Sequence, residues 1–344
     1  MRILVVRYRF IGDTILTVPF LRNLRRAYPY AKIDMLVGPV SGELLEGCPY
    51  LDNLIYFDTT KKHRYENSKP RKKSFFRYVK LLQTERYDKA YVLKRSLSSA
   101  LLVSMAGIKE RVGFDTEKRS FLLTKKVPYD KNKHEVESFL DVLRADGIEV
   151  KDDYLEAWLN PMDVAQMNEL FQSFNLGDKK KVMVHATSGN TKKQWDKQYF
   201  AQVIEYLSNV KEAQVFYAGA QSDNKIYDEI HSLIETDLQV KPINLCGKLS
   251  LTESAVAIAS MDLLFGNDSG NLHVAGALGI PTIGIYGPMD YKKWKVWSDK
   301  TLPLYTNLDC YPCNLRFECK NNYGCLSEIT PEMAIDAIEK QLSV

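Results

Sequence analysis

Three short stretches and one cluster of cysteines hold the residue types that can do chemistry. Phe10-Ile11-Gly12-Asp13-Thr14 follows directly on an apolar run over Arg2–Val6 that reads as a buried strand. In an open α/β sheet, ligands gather beyond the carboxyl ends of the strands. Gly12 there permits a tight turn or close backbone approach. Asp13 has two readings: the cap of the next helix, or a carboxylate available as a general base. The stretch lacks the Gly-x-Gly-x-x-Gly spacing of a dinucleotide fingerprint.

The second stretch runs from His185 to Trp195 and carries Thr187, Ser188, Gly189, Lys192 and Lys193 after another strand-like run. Hydroxyls, a glycine and two lysines at a strand end suit a phosphate cradle; the other reading is a polar loop that Trp195 anchors to the following helix. The third stretch, Gly266-Asn267-Asp268-Ser269-Gly270-Asn271-Leu272-His273, enters a helix rich in Ala and Gly. A strand followed by Asp-Ser-Gly places backbone N–H groups and the positive end of a helix dipole at the sheet edge, which suits a diphosphate. A plain cap would account for Asp268 but leave His273, one turn further in, without a reason.

The cluster is Cys310-x2-Cys313-x5-Cys319-x5-Cys325. Four thiols at this spacing can hold a structural Zn2+; free thiols, or one or two disulfides, are the other readings, and a catalytic thiol is not expected. Cys48 and Cys246 stand apart and read as small core residues.

The elements that must position these residues alternate between β-rich runs and helix-period segments, which predicts an α/β class with parallel sheets. In the first half, strands are expected at Arg2–Val6, Lys32–Val37, Asn53–Phe57 and Lys89–Leu93, with helices at Asp13–Ala27, Ser98–Met105 and His134–Leu143. A second series begins after Lys181, with strands expected at Val182–His185, Ala213–Ala218, Pro242–Leu245, Asp262–Phe265 and Thr282–Tyr286. A closing helix is expected over Thr330–Leu342. Two doubly wound halves follow, residues 1–160 and 161–344, with a cleft between them.

At 344 residues, 45% apolar and 26% charged, the chain is neither disordered nor fibrous. No apolar run approaches the roughly 18–20 residues of a membrane span, and Arg7 and Arg9 interrupt any secretory signal. A cytoplasmic protein is expected, with peripheral attachment to the inner membrane as an extension of that reading. The net charge of +4 is split: residues 1–150 carry 29 Lys and Arg against 18 Asp and Glu, while the remainder carries 18 against 25. The excess peaks over Lys61–Lys80, which reads as a solvated loop or a surface for phosphate-bearing partners, a membrane face more than a nucleic acid.

Gly12-Asp13, Lys193-x-Trp195, and Asn267-Asp268-Ser269-Gly270-x-x-His273 with Tyr286-Gly287-Pro288 resemble the motifs of the lipopolysaccharide heptosyltransferases, glycosyltransferase family 9, over about Met1 to Pro288. Tyr87–Leu93, Ser98–Leu101 and Ala106–Ile108 are most similar to the branch known as heptosyltransferase II. The resemblance implies a GT-B fold, two Rossmann-like domains facing across a cleft, the first binding acceptor and the second binding donor. It implies inverting transfer of L-glycero-D-manno-heptose from ADP-heptose to a Kdo-lipid A acceptor, with no catalytic metal or other cofactor and no nucleic-acid partner. Asp13 would be the base and Lys193 would steady the departing ADP. Donor positions would be Thr187, Ser188, Lys193, Gly219, Asp223, Asp268, Ser269, Gly270 and His273. Acceptor positions would be Gly12, Lys94, Arg95, Ser96 and Arg119. The rival readings are the same fold with another nucleotide sugar or glycan acceptor, and a non-catalytic nucleotide- or polyanion-binding protein. Oligomeric state is not legible.

Overall fold

The computed structural model describes residues 1–58 and 74–343. Most of the basic stretch over Lys61–Lys80 therefore lies outside the described residues, and only its end enters a described helix. The chain divides into two compact units, Met1–Trp158 and Leu159–Val344.

The first unit has strands β1 (Arg2–Val6), β2 (Lys32–Val37), β3 (Asn53–Tyr56), β4 (Lys89–Val92), β5 (Glu110–Phe114) and β6 (Lys125–Val127). Its helices are α1 (Ile11–Ile15), α2 (Val18–Ala27), α3 (Pro39–Gly42), α4 (Phe75–Glu85), α5 (Leu97–Met105) and α6 (Glu135–Ala145). The strands form one parallel sheet in the order β3-β2-β1-β4-β5-β6. Ile3, Leu4, Val5 and Val6 are all fully buried, because helices cover both faces of a parallel sheet and leave no polar side to alternate with. The winding reverses between β1 and β4, so the loops after these two strands border the crevice where doubly wound sheets bind ligands.

The single helix expected over Asp13–Ala27 is divided. α1 stops at Ile15, and α2 starts at Val18 with Pro19 in its first turn. Pro19 has no N–H to donate to Ile15, so one continuous helix would lose a rung there. The hydroxyls of Thr14 and Thr17 bond back to the carbonyls of Phe10 and Asp13, at 2.9 and 2.8 Å.

The second unit repeats the plan with β7 (Lys181–His185), β8 (Gln214–Tyr217), β9 (Ile243–Asn244), β10 (Leu263–Asn267), β11 (Thr282–Ile285) and β12 (Thr301–Leu304). Its helices are α7 (Pro161–Ser173), α8 (Lys197–Asn209), α9 (Asn224–His231), α10 (Leu251–Ala259), α11 (Gly270–Ala277), α12 (Tyr291–Trp294), α13 (Gly324–Ser327) and α14 (Pro331–Leu342). The parallel order β12-β11-β10-β7-β8-β9 places the reversal between β7 and β10. A Cβ on Gly266 would sit 2.2 Å from the His185 carbonyl oxygen, so glycine is required where β10 lies against the end of β7. Thr330 caps α14 by accepting from Met333 N at 3.4 Å, and Pro331 opens the helix. Both units are Rossmann-like, and no helix among the described residues is long and apolar enough to cross a membrane.

Candidate active site

In the first unit, Asp13 does not cap a helix. It lies inside α1, buried at 8% exposure, and Arg7 Nη2 approaches its Oδ1 at 2.5 Å. Arg7 is itself 4% exposed. A buried pair of this kind fixes the carboxylate geometry, and removing either partner typically costs about 3–5 kcal/mol. Composition had not singled out Arg7; its sign is a cation placed directly after a fully buried strand.

Lys94 follows β4, the strand beside β1, and its amide donates to the Val6 carbonyl at 3.0 Å. Burial and the nearby guanidinium of Arg7 push the Lys94 ammonium down to about 8, with Arg9 and Arg95 adding to the effect and Asp13 opposing it. Three cations thus crowd a fourth beside one carboxylate, an arrangement that an anionic ligand would relieve.

The other acceptor-side candidates stand around this group of charges. Arg95 pairs with the fully buried Glu135 at 2.5 Å and lies 4.0 Å over the Tyr129 ring. Ser96 is the cap of α5, accepting from Ser99 N at 3.4 Å. Arg119 is fully buried, donates to the carbonyls of Phe114, Lys94 and Ser96, and so ties the Lys94–Ser96 loop in place. Burial lowers it to about 10. Gly12 is buried within the first turn of α1.

In the second unit, the loops after β7, β8, β10 and β11 converge. Asn267, fully buried at the end of β10, accepts from Trp195 N at 2.9 Å and donates to the Ala186 carbonyl at 2.8 Å. One side chain therefore clamps both ends of the 187–194 loop. Trp195 is anchored by its own indole N–H, which donates to the Ile329 carbonyl at 2.8 Å. The clamp brings Lys193 Nζ to 2.5 Å from Asp268 Oδ2 and the Ser188 hydroxyl to 3.3 Å from the Asp268 carbonyl.

Asp223 is fully buried, where it accepts from Ala220 N at 2.9 Å and from the Thr187 hydroxyl at 3.2 Å. It braces the Gly219 turn from inside, and a Cβ on Gly219 would meet its carboxylate at 2.5 Å. Ser269 stands at the cap position of α11 but makes no cap bond, and its buried hydroxyl has no hydrogen-bond partner. The first N–H groups of Gly270–Ala277 thus have no side-chain cap, and an anion is a natural partner for them. His273 is buried one turn into the same helix.

The four clustered cysteines, with Lys192, Pro288 and Phe317, line one cavity of the second unit. Among the described residues no group of three or more His, Cys, Asp or Glu is placed to hold a metal ion. Of the three readings for Cys310, Cys313, Cys319 and Cys325, this arrangement is that of free thiols and not of an assembled zinc site. Two of the sulfurs take separate local bonds, Cys310 accepting from Asn321 Nδ2 at 3.4 Å and Cys319 from Tyr323 N at 3.2 Å. All four are free thiols. Burial, with the other three thiols nearby, raises Cys325 to about 11; burial raises Cys48 and Cys246 to about 12.

A family model described as glycosyltransferase family 9 (heptosyltransferase) matches residues 75–323. The chain belongs to glycosyltransferase family 9. It is 28% identical to lipopolysaccharide heptosyltransferase 2 of Escherichia coli K12 over 84% of this chain and 83% of that one. It is also 28% identical to lipopolysaccharide heptosyltransferase 3 of the same strain, over 97% and 96% of the two chains. Among solved structures, the E. coli ADP-heptose lps heptosyltransferase II superposes with a TM-score of 0.78 at 24% identity, covering 99% of this chain and 98% of that one. The family 9 chain is therefore a glycosyltransferase with the two Rossmann-like units of the GT-B class.

Proposed function

We propose that this family 9 enzyme moves L-glycero-D-manno-heptose from ADP-heptose to the Kdo-lipid A inner core of lipopolysaccharide, with inversion at the anomeric carbon. The names of its relatives support the sugar and the acceptor class, and the name of the E. coli structure supports the donor. The observation that carries the reading is the buried Arg7–Asp13 pair beside Lys94: a fixed carboxylate in a cationic pocket at the switch point of the first sheet.

Asp13 takes the proton from an acceptor hydroxyl as that oxygen bonds to the anomeric carbon, and the carbon–oxygen bond to the β-phosphate breaks on the opposite face. Arg7 holds the carboxylate in place. Lys94 and the neighbouring cations meet the phosphates and Kdo carboxylates of the acceptor, while Arg119 and Ser96 set the loop that carries Lys94. In the second unit, Thr187, Ser188, Ser269 and the N–H groups of Gly270 and its successors receive the diphosphate. Lys193 supplies positive charge as ADP departs, and charge placed where charge develops lowers the barrier. Asp268 orients Lys193 and contacts the sugar, with His273 behind it; Asp223 and Gly219 shape the ribose side. The protein would work at the inner membrane face, where its acceptor is anchored.

The test is a panel. ADP-heptose, ADP-glucose and a UDP-sugar are offered with Kdo-lipid A, with and without one heptose already attached, and products are read by mass spectrometry. The expected result is heptose transfer from ADP-heptose to the heptosylated acceptor. Transfer from another nucleotide sugar, with none from ADP-heptose, would overturn the assignment.

A further inference from the structure

α5 exposes apolar side chains along one line. Leu97, Leu101 and Met105 are four residues apart, so they share one face of the helix, and they are 46%, 38% and 39% exposed. The opposite face, with Ala100, Leu102 and Val103, is buried against the sheet and its neighbours. The line is about 12 Å long at 1.5 Å per residue. Two aromatic side chains flank it: Phe76, 66% exposed on the adjoining helix α4, and Phe121, 75% exposed on the 3-10 turn Ser120–Leu122 that packs against α5. Gln83 Nε2 ties α4 to the Met105 carbonyl at 2.9 Å.

The charge that α4 brings to this face is positive, while around the Phe121 turn it is mixed, with Asp115 and Glu117 exposed beside Lys118. Arg77 and Lys80 are exposed on α4. Glu85, the one acid among the described residues of α4 and α5, pairs with Arg2. Exposed apolar residues gathered on one face mark a contact surface. A second copy of the chain is a poorer occupant, because in a two-fold contact each copy's α4 would bring the same exposed positive charge, Arg77 and Lys80, to the seam. Apolar side chains flanked by cations suit an anionic bilayer, where the former enter the headgroup–acyl boundary and the latter meet lipid phosphates.

We propose that this face of α4, α5 and the Phe121 turn is a membrane-docking surface for anionic lipid. It deepens the proposed function and rests on that reading for its purpose: α5 begins directly after the Lys94–Ser96 loop, so docking along α5 brings the acceptor-side pocket to the level of lipid headgroups.

The test is flotation of the full chain with phosphatidylethanolamine–phosphatidylglycerol vesicles and with phosphatidylcholine vesicles, for wild type and for Leu101→Ser/Met105→Ser and Phe121→Ser. Wild type should float with the anionic vesicles, less so in high salt, and weakly with the neutral ones. The variants should lose about tenfold or more in partition, from the apolar area removed. They should keep the wild-type melting temperature and transfer normally to a deacylated, water-soluble acceptor, but slowly to acceptor embedded in vesicles. Absence of wild-type flotation, or equal flotation of the variants, would overturn the proposal. So would a concentration-dependent dimer in sedimentation that the variants abolish, which would assign the face to a second copy. Flotation that depends on the face, in a protein that transfers heptose to no acceptor, would uphold the docking surface and refute the heptosyltransferase reading.

Discussion

Lys94 carries the electrostatic signature of the first unit's site. Burial and the neighbouring arginines place its ammonium near 8 instead of the usual 10.5. Its positive charge is therefore present at neutral pH and lost as pH rises through about 8. If Lys94 reads acceptor anions, KM for acceptor should climb across that range while KM for donor stays level. Lys94→Met should raise acceptor KM at pH 7 and flatten the profile. The stability term has the opposite sign. Between about 8 and 10.5 the unfolded chain binds more protons at this residue than the folded one, so its contribution to stability rises with pH. Activity that falls while melting temperature holds or rises over the same interval separates this group from general alkaline unfolding. A flat acceptor KM from pH 7 to 9 would remove Lys94 from the acceptor site.

At the scale of elements, the second unit's site depends on how closely β10 approaches β7. Gly266→Ala would drive a methyl into the His185 carbonyl, which backbone shift alone can relieve. The expected cost is about 3 kcal/mol, seen as a lower midpoint in urea, with donor affinity falling because Asn267 and Asp268 follow directly in the chain. An unchanged midpoint would show that the two strands do not hold this register.

The central strands were legible because their middles, Ile3–Val6 in β1, Val182–Val184 in β7 and Leu263–Phe265 in β10, are apolar and buried on both faces. β5 was not, since Glu110, Arg111 and Gly113 disguise it. β6 is two lysines and a valine at one sheet edge, and β12 lies at the edge of the other sheet, where Pro303 is tolerated. The break between α1 and α2 was written in Pro19, but an apolar period continuing on both sides masked it. Within the candidate sites, Asp13, Lys193 and Asp268 drew attention through local motifs, while the pairing of Asp13 with Arg7 and of Lys193 with Asp268 came only with the fold. Ser96 and Arg119 entered as acceptor positions through the family resemblance; that one caps α5 and the other ties the Lys94–Ser96 loop is a tertiary fact that no spacing encodes.

The whole molecule is one topology used twice, with each sheet reversing beside its first strand. The two copies have been given different chemistry at the same topological position. The first carries a buried carboxylate among cations; the second carries an uncapped helix start, a lysine–aspartate pair and paired hydroxyls. Residues 1–150 hold the basic excess and the rest of the chain the acidic one, which suits an anionic acceptor on the first unit. On this account, base and donor site are separable, and the proton step belongs to Asp13. The measurement that tests it most directly pairs two readings on the same samples of wild type and Asp13→Asn: the rate of heptose transfer at saturating ADP-heptose and acceptor, and the Kd for ADP-heptose. The account predicts a rate lower by about 10³-fold, the scale of a lost general base, with donor Kd unchanged within about twofold. Transfer within tenfold of wild type would contradict it, and the base would have to be sought elsewhere.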